Sequence, residues 1–482
     1  WQNILSIHRI FLNNHQAVSY VRFKSIMRIK LEFIMKNLRP ALPAILLAII
    51  WMATACSSGK GEDVLIRELN SQILDLPGNQ PQEYANAVFG NLLDWESYSV
   101  IGLGEAAHGA KNFFELKSRL FQYLVENHGY KVLAYEFSFR TSLKINDYVL
   151  HGKGDLDSLF AGDLWVQDNY EVQDLIQWMH LYNSDRREQD KIHFVGIDNQ
   201  LDAFYPEKTI DRMNILYPEI VRLNPEVASE IIKLEHINYE GITRDEYERR
   251  KSLFERLLIG TKSYFQENAD LAGTLNYKVT VHLAESLIKS NQWLFNIFTG
   301  EANNRDLDLA QNVLWVKENY NSRVAVWAHN SHVQNNPSMH GEGGESMGYY
   351  LKKSLNGKYL IISTAFTNGR FVAVMDGPDG NDTAPLECEI SGEPPAESLN
   401  SIFYQAGHNN FFLNVDDIQA GSHLYSFLDT IRPMLGIGDW FEGSTEFHYS
   451  SSHRRINLLY ATDALFYFSH TEPLTIHKRF YQ

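Results

Sequence analysis

Cysteine, basic charge and low-complexity sequence are all scarce in this chain of 482 residues. Two cysteines, Cys56 and Cys388, are too few for a disulfide framework. Acidic residues outnumber basic ones by 59 to 43, so the formal net charge is −16 and the basic stripe of a nucleic-acid-binding protein is missing. We therefore expect no nucleic-acid partner. The hydrophobic content of 44% excludes a disordered chain and allows a large buried core.

The amino-terminal part of the chain predicts a leader. Residues 1–34 are basic and patchily apolar without a clear period, and we interpret them as a non-native upstream extension, with translation starting at Met35. Two basic residues then precede an apolar run over residues 41–55, which ends at Cys56. This order, basic, then apolar, then small residues before a cysteine, resembles the signal of a bacterial lipoprotein.

The same signal predicts where the protein resides. Residues 35–55 are expected to be the signal peptide, Cys56 the lipid-modified first residue of the mature chain, and residues 56–80 a tether. The lipid would anchor the protein to a membrane of the bacterial cell envelope, facing the periplasm or the cell surface. The alternative is a single transmembrane anchor, although the apolar run is shorter than the ~20 residues that a span needs.

Strand patterns alternate with helical patterns through most of the remaining chain. Apolar, β-branched runs predict neighbouring parallel strands at residues 98–104, 131–137, 191–197 and 323–328. Between about 206 and 320, long helical patterns occur without a strand. Such alternation is typical of a parallel sheet with right-handed crossovers. We therefore predict an α/β domain over residues 81–475, a three-layer α/β/α fold with a mainly parallel sheet and a helical insertion or cap.

The stretch from Ser99 to Gly109 is the most informative part of the chain. It predicts a strand, a tight turn on two glycines and then a helix. Glu105 and His108 would lie at the carboxyl edge of that strand, where open α/β sheets bind ligands. A carboxylate and an imidazole there can transfer protons. Alternatively, they lie at the start of a helix, where Glu105 interacts favourably with the helix dipole and His108 is solvated.

A second polar cluster follows the strand that ends near residue 328. His329 and His332 come directly after it, and Glu136 ends the strand at 131–137. Taken alone, two histidines three residues apart are more often hydrogen-bonded loop residues than functional groups. A second cluster of histidine and glutamate at another strand end of the same sheet favours a site.

Two short motifs suggest other chemistries. The segment Gly102–Ala107 fits the glycine-rich turn of dinucleotide-binding folds, but Glu105 would then put a carboxylate beside a pyrophosphate. The segment Gly344–Gly348 fits G-x-S-x-G, but a nucleophile elbow needs a strand directly before it, and a polar loop is there instead. We interpret Ser346 as the cap of the helix that follows.

The order and spacing of these motifs resemble the erythromycin esterase family over roughly residues 80–470. The residues that carry the resemblance are Gly104-Glu105-x-x-His108-Gly109, Glu136, Arg305-Asp306, Ala328-His329-Asn330-x-His332, Met347-Gly348 and Asp463-Ala464. The resemblance implies an α/β core with helical additions. It also implies hydrolysis of an ester or macrolactone, with macrolides as the first substrates to consider, by water that a histidine activates without a covalent intermediate.

The resemblance also assigns roles to individual residues. His108 would be the general base, accompanied by Glu105, Glu136, Arg305, His329 and His332. Lys117 stands nine positions after His108, where the resistance enzymes often have an arginine, and it is expected to bind substrate. Lysine lacks the bidentate fork of arginine, so a different substrate preference is expected.

Two alternatives remain open from the residues alone. The same groups, Glu105, His108, Glu136, His329 and His332, have the ligand chemistry for a divalent ion such as Zn²⁺ or Mn²⁺, which would make the protein a metal-dependent hydrolase. A non-catalytic envelope lipoprotein is the other alternative. Our expectation is a hydrolase without a cofactor, whose partner is a small-molecule ester or lactone.

Overall fold

The computed structural model describes residues 58–160, 164–200, 202–235, 237, 241–302, 305–337, 344–377, 382–441 and 453–480. The predicted extension, the signal peptide and Cys56 lie outside these residues. Within the described ranges, no helix combines the length and the apolarity that a membrane crossing requires. Cys388 is a buried free thiol.

A large mixed sheet forms the centre of the fold. The strands of the described residues are β1 (Ile73–Asp75), β2 (Val100–Glu105), β3 (Tyr130–Ser138), β4 (His193–Asp198), β5 (Arg323–His329), β6 (Tyr359–Ala373), β7 (Leu386–Ile390), β8 (Asn410–Asn414), β9 (Arg432–Leu435), β10 (His453–Ile456) and β11 (Ala464–Thr471). Nine of them form this sheet in the order β1-β8-β11-β6-β2-β5-β3-β4, with β7 paired to β6. Strands β9 and β10 form a separate antiparallel pair.

The strand directions confirm the predicted fold class. The six strands from β11 to β4 are parallel to one another, whereas β1, β7 and β8 pair with their neighbours in the antiparallel sense. The four strands predicted from the sequence are consecutive in this sheet, in the order β2-β5-β3-β4. Their carboxyl ends therefore meet at one edge.

Helices cover both faces of the sheet. The α-helices of the described residues are α1 (Ser58–Asn70), α2 (Asn86–Gly90), α3 (Lys111–His128), α4 (Phe139–His151), α5 (Leu156–Leu159), α6 (Tyr170–Asn183), α7 (Pro206–Leu216), α8 (Pro218–Leu223), α9 (Pro225–Ile232), α10 (Arg244–Glu267), α11 (Leu275–Thr299), α12 (Arg305–Asn319), α13 (Asn330–Val333), α14 (Met347–Leu355), α15 (Leu399–Gln405), α16 (His423–Leu428) and α17 (Leu458–Ala461). Short 3-10 helices occupy Pro81–Glu83, Trp95–Ser97, Glu188–Asp190 and Lys478–Phe480.

Alternating side chains of each strand enter two different cores. In β3, Leu133 and Tyr135 pack with helix α3 on one face of the sheet. Val132 and Ala134 point to the other face and pack with α4, α11 and α12. This period of two is what a strand buried on both faces requires.

The described residues from α7 to α12 form helices joined by turns and loops, without a strand. Their apolar side chains belong to the same core as one face of the sheet, so these helices extend that helical layer. The boundaries of the insertion at about 206 and 320, and of the α/β domain, stay predictions.

The two glycines of the central stretch do not form the predicted turn. Gly102 and Gly104 both lie inside β2, and the chain leaves the strand only after Glu105. A side chain at Gly104 would overlap Asn330 and Val333 of helix α13. The glycines are thus needed because α13 lies directly against the strand, and the dinucleotide-binding turn is absent from this segment.

Candidate active site

Four strand ends bring the polar residues together. Glu105, Asp198 and His329 are the last residues of β2, β4 and β5, and Glu136 lies near the end of β3. Glu105 and His329 are also register partners across the β2/β5 pair. The carboxyl edge of the sheet therefore gathers residues that are far apart in the chain.

His108 lies in the loop that joins β2 to α3. Its Nδ1 is 3.0 Å from Oε1 of Glu105, so the imidazole donates to the carboxylate through this nitrogen. The opposite nitrogen, Nε2, is left to accept a proton. The side chain of His108 is 16% exposed. Burial lowers the pKa of His108 from its usual value near 6.5, although the charges of Glu136 and Asp439 partly oppose this.

The backbone of this loop is held from three directions. The N–H of His108 donates to the carbonyl of Ile437 at 3.2 Å. The carbonyl of Gly109 accepts from the N–H groups of Val372, at 3.0 Å, and Leu474, at 2.9 Å. These bonds fix the position from which the imidazole enters the site.

Lys117 has a different position from the one predicted for a substrate-binding residue. Its side chain is 2% exposed, and its ammonium contacts Oε2 of Glu105, whereas His108 contacts the other oxygen, Oε1. It also lies 4.1 Å from the centre of the Trp327 ring, a cation–π distance. Burial lowers the pKa of Lys117, whereas the contact with the Glu105 carboxylate favours the ammonium form. The geometry favours a positioning role, because Lys117 reaches His108 only through Glu105.

Arg305 ties two strand-end carboxylates together. Its Nη2 lies 2.7 Å from Oε1 of Glu136 and 2.7 Å from Oδ2 of Asp198, and its Nε donates to the same Asp198 oxygen at 3.2 Å. The other Glu136 oxygen accepts the N–H of His329 at 2.9 Å. Burial favours the neutral form of Glu136, but the charges of His332, Arg305 and His108 hold its pKa below the usual range.

His332 is held between two carboxylates. Its Nδ1 lies 3.0 Å from both oxygens of Asp306, and its Nε2 lies 3.3 Å from Oε1 of Glu136. Burial opposes the charged ring, but Asp306 and Glu136 outweigh it and raise the pKa of His332 to about 9. Nη1 of Arg305, which lies 3.1 Å from the same Nε2, opposes the charged ring. Asp306, which the sequence motif contains without an assigned role, supplies one of the negative charges that raise the pKa of His332.

His329 has the opposite arrangement to His108. The backbone N–H of Ser331 donates to Nδ1 of His329 at 3.2 Å, which fixes the neutral tautomer with its proton on Nε2. Burial, with the nearby charges of His108 and His332, holds the pKa of His329 well below its usual value. The imidazole is thus a neutral hydrogen-bond donor.

Ser346 caps helix α14, as predicted. Its Oγ accepts the N–H of Tyr349 at 3.2 Å and donates to the carbonyl of Gln334 at 2.6 Å. It is fully buried, and the two described residues directly before it, Gly344 and Glu345, are not in a strand. These contacts engage the hydroxyl both as a donor and as an acceptor.

The candidate metal ligands do not fit a metal site. Among the residues that the structure describes, no group of three or more histidine, cysteine or carboxylate side chains is arranged to hold an ion. Glu105 is engaged by Lys117, and Glu136 by Arg305. Each carboxylate already has a cationic partner, so the donor set lacks the free oxygens that a divalent ion needs.

The fold and these groups define the class of the protein. It is an α/β protein whose acid–base side chains lie at the carboxyl edge of a parallel sheet, the usual ligand-binding position of such sheets. A family model described as "Erythromycin esterase" matches residues 125–471. The chain belongs to the erythromycin esterase family. The matched residues include Glu136, Arg305, His329 and His332 and begin after the His108 loop.

Individual relatives agree with this assignment. An erythromycin esterase type II from Escherichia coli is 25% identical over 385 residues, which is 73% of this chain and 90% of that protein. A solved structure from Bacillus cereus is 21% identical, with a TM-score of 0.73, over 86% of this chain and 99% of the other. A mutant erythromycin esterase in an open conformation gives a TM-score of 0.58 at 18% identity, over 83% of this chain and 97% of the other. The structural matches support the fold alone, whereas family membership supports a hydrolase.

Proposed function

We propose that this protein hydrolyses an ester or a macrolactone by direct attack of a water molecule that His108 activates. The observation that carries the proposal is the hydrogen bond from Nδ1 of His108 to Glu105, because it leaves Nε2 as a proton acceptor at the edge of the sheet. A neutral imidazole with a lowered pKa is in its basic form at neutral pH. A family that contains named esterases makes ester hydrolysis the reaction to test first.

The reaction has two steps. In the first, the water oxygen bonds to the carbonyl carbon, the carbon–oxygen double bond becomes an oxyanion, and the water proton moves to Nε2 of His108. In the second, the tetrahedral intermediate collapses, the bond to the alcohol oxygen breaks, and the departing alkoxide takes the proton back from His108. The products are an acid and an alcohol, and the enzyme returns to its starting state.

The remaining charged residues hold other side chains of the site in position. By its chemistry Arg305, like the pair His329 and His332, is a candidate donor to the oxyanion, but its guanidinium is directed at Glu136, Asp198 and His332. We assign Arg305, Asp198 and Asp306 to positioning roles, because they hold Glu136 and His332. Glu136 in turn fixes the backbone of His329.

The test is a single-turnover hydrolysis in ¹⁸O-labelled water, with macrolides and simple aryl esters as substrates. Direct attack by water places the label in the acid product within one turnover. Replacing His108 by Gln should lower the single-turnover rate by roughly 10²–10⁴-fold while the protein stays folded. A trapped acyl-enzyme, or a fully active His108→Gln variant, would contradict the mechanism. Retained activity after chelator treatment is expected, and a loss that added metal restores would favour the metal-dependent alternative.

We also propose that Cys56 is lipid-modified and anchors the protein to the cell envelope. The support is the order of basic, apolar and small residues before Cys56. Labelling of cells with a palmitate analogue should mark the wild-type protein and spare a Cys56→Ala variant. Persistent labelling of that variant would refute the proposal.

A further inference from the structure

Arg454 is an arginine at the site that the sequence motifs do not include. It lies on β10, opposite Met434 of β9. Its Nε is buried and has no hydrogen-bond partner among the residues that the structure describes. Because a guanidinium keeps its charge and its donors at all ordinary pH values, the buried Nε is a permanent donor.

Gly436 opens a niche between Arg454 and His329. A Cβ atom built at Gly436 would lie 3.5 Å from Cγ of Arg454 and 3.9 Å from Cε1 of His329. Both side chains therefore border the volume that glycine leaves empty. The charge of Arg454 also reaches His329, because it contributes, after burial and the neighbouring histidines, to the lowered pKa of that ring.

His329, the second side chain that borders this niche, also carries a donor. Its Nδ1 already accepts the N–H of Ser331, so the proton of the neutral ring is on Nε2. That Nε2 is buried and likewise has no partner within the described part of the chain. Two inward donors without an acceptor are costly to bury, so the niche is suited to a ligand that supplies an oxygen with negative charge.

We propose that Arg454 and His329 together bind the carbonyl oxygen of the ester and stabilise the negative charge that develops on it. This inference rests on the proposed function. The ring centroids of His329 and His108 are 4.9 Å apart. The carbonyl oxygen bound by His329 would therefore lie close to the water that His108 activates. Arg454 takes the role for which Arg305 is the other arginine candidate, because the guanidinium of Arg305 is directed at Glu136, Asp198 and His332.

The test compares Arg454→Gln with Arg455→Gln in the full chain. Arg455 is the exposed neighbour on the same strand and serves as the matched control. Two quantities are measured: kcat and KM for aryl ester hydrolysis, and the affinity for phenyl methylphosphonate, a tetrahedral anion, by calorimetry. Arg454→Gln should lower kcat by roughly 10²–10³-fold, with a smaller effect on KM, and should weaken phosphonate binding. Arg454→Lys should recover part of both, because it restores the charge without the fork.

A second pair of variants tests the niche without removing the charge. Gly436→Ala places a methyl group at ordinary contact distance from both side chains, so the protein should fold but bind the phosphonate more weakly. Gly438→Ala is the control, since nothing in the described structure lies within 4 Å of its Cβ position.

The outcomes separate this inference from the proposed function. If Arg454→Gln matches Arg455→Gln in both kcat and phosphonate affinity, the inference is wrong. If the wild-type protein hydrolyses no ester or lactone, yet Arg454→Gln alone loses phosphonate binding, the anion site stands and the proposed function fails. If the wild-type protein neither turns over an ester nor binds the phosphonate, both are overturned.

Discussion

The imidazoles of His108 and His329 lie with their ring centroids 4.9 Å apart, although one follows β2 and the other ends β5. Their partners give them opposite properties. Glu105 accepts the Nδ1 proton of His108, so the remaining nitrogen accepts, whereas Ser331 donates to Nδ1 of His329, so the remaining nitrogen donates. A base and a neutral donor thus face the same space, which is what attack on a polarised carbonyl requires.

The effects of Glu105 and Lys117 on the free energy of unfolding should be coupled, because the two side chains form a buried ion pair. Lys117→Met leaves the Glu105 carboxylate buried without its cation and should lower the free energy of unfolding by about 3–5 kcal/mol. The double variant Lys117→Met/Glu105→Gln should recover most of that loss, because no buried charge remains. Urea denaturation of the two single variants and the double variant measures the coupling. A double variant as unstable as Lys117→Met would show that lost packing against Trp327, not charge, is the cause.

The rate should have a bell-shaped dependence on pH. His108 must be neutral to act as a base, and its pKa is lowered, so kcat/KM should rise with pH through a value below 6.5. His332 has its pKa raised to about 9, and loss of its proton removes the cation beside Glu136, so kcat/KM should fall again near pH 9. Measuring the profile for wild type and for His332→Gln tests the assignment. An alkaline limb that persists unchanged in His332→Gln would assign it to another group.

Stability should also depend on the proton of His332. The folded pKa of about 9 exceeds the unfolded value near 6.5, so the contribution is fully present below pH 6.5 and is lost as pH rises through 9. The shift corresponds to about 3 kcal/mol. The free energy of unfolding, measured by chemical denaturation across this range, should therefore fall less steeply with pH in His332→Gln than in wild type. The exposed His470 provides the control, because His470→Gln should keep the wild-type slope.

Ser346 should matter for stability and not for chemistry. Ser346→Ala removes the cap of α14 and leaves its partners unpaired, so the free energy of unfolding should fall by about 1–2 kcal/mol. Turnover by the folded variant should be unchanged. Ser422→Ala, which removes the cap of α16, is the matched comparison for thermal unfolding. Reaction of Ser346 with a fluorophosphonate would instead identify it as a nucleophile.

Much of this architecture could be predicted because its signals are local. Runs such as the one from Val100 to Glu105 are apolar enough to identify buried strands, and polar residues at their carboxyl ends indicate a ligand edge. Glu136 and His329 were predicted at strand ends in this way, and the structure brings them together. The fold class followed from alternation alone.

Other features depend on contacts that no local pattern contains. Gly102 and Gly104 resemble a phosphate-binding turn in sequence, but they are glycines because α13 approaches β2 from a distant part of the chain. Asp198 ends a strand that was predicted, yet its role follows only from its contact with Arg305. Arg454 lies on a four-residue strand and reaches the site through tertiary packing, so the motifs gave no indication of it.

The loop that carries His108 is held by segments that are synthesised long after it. Gly109 accepts hydrogen bonds from Val372 and Leu474, and Asn112 accepts one from Glu472, 360 residues further along the chain. A chain emerging from the ribosome therefore exposes its histidine long before the groups that orient it exist. The imidazole of His108 therefore reaches its place in the site only once residues 472–474 have been synthesised and have docked against this loop.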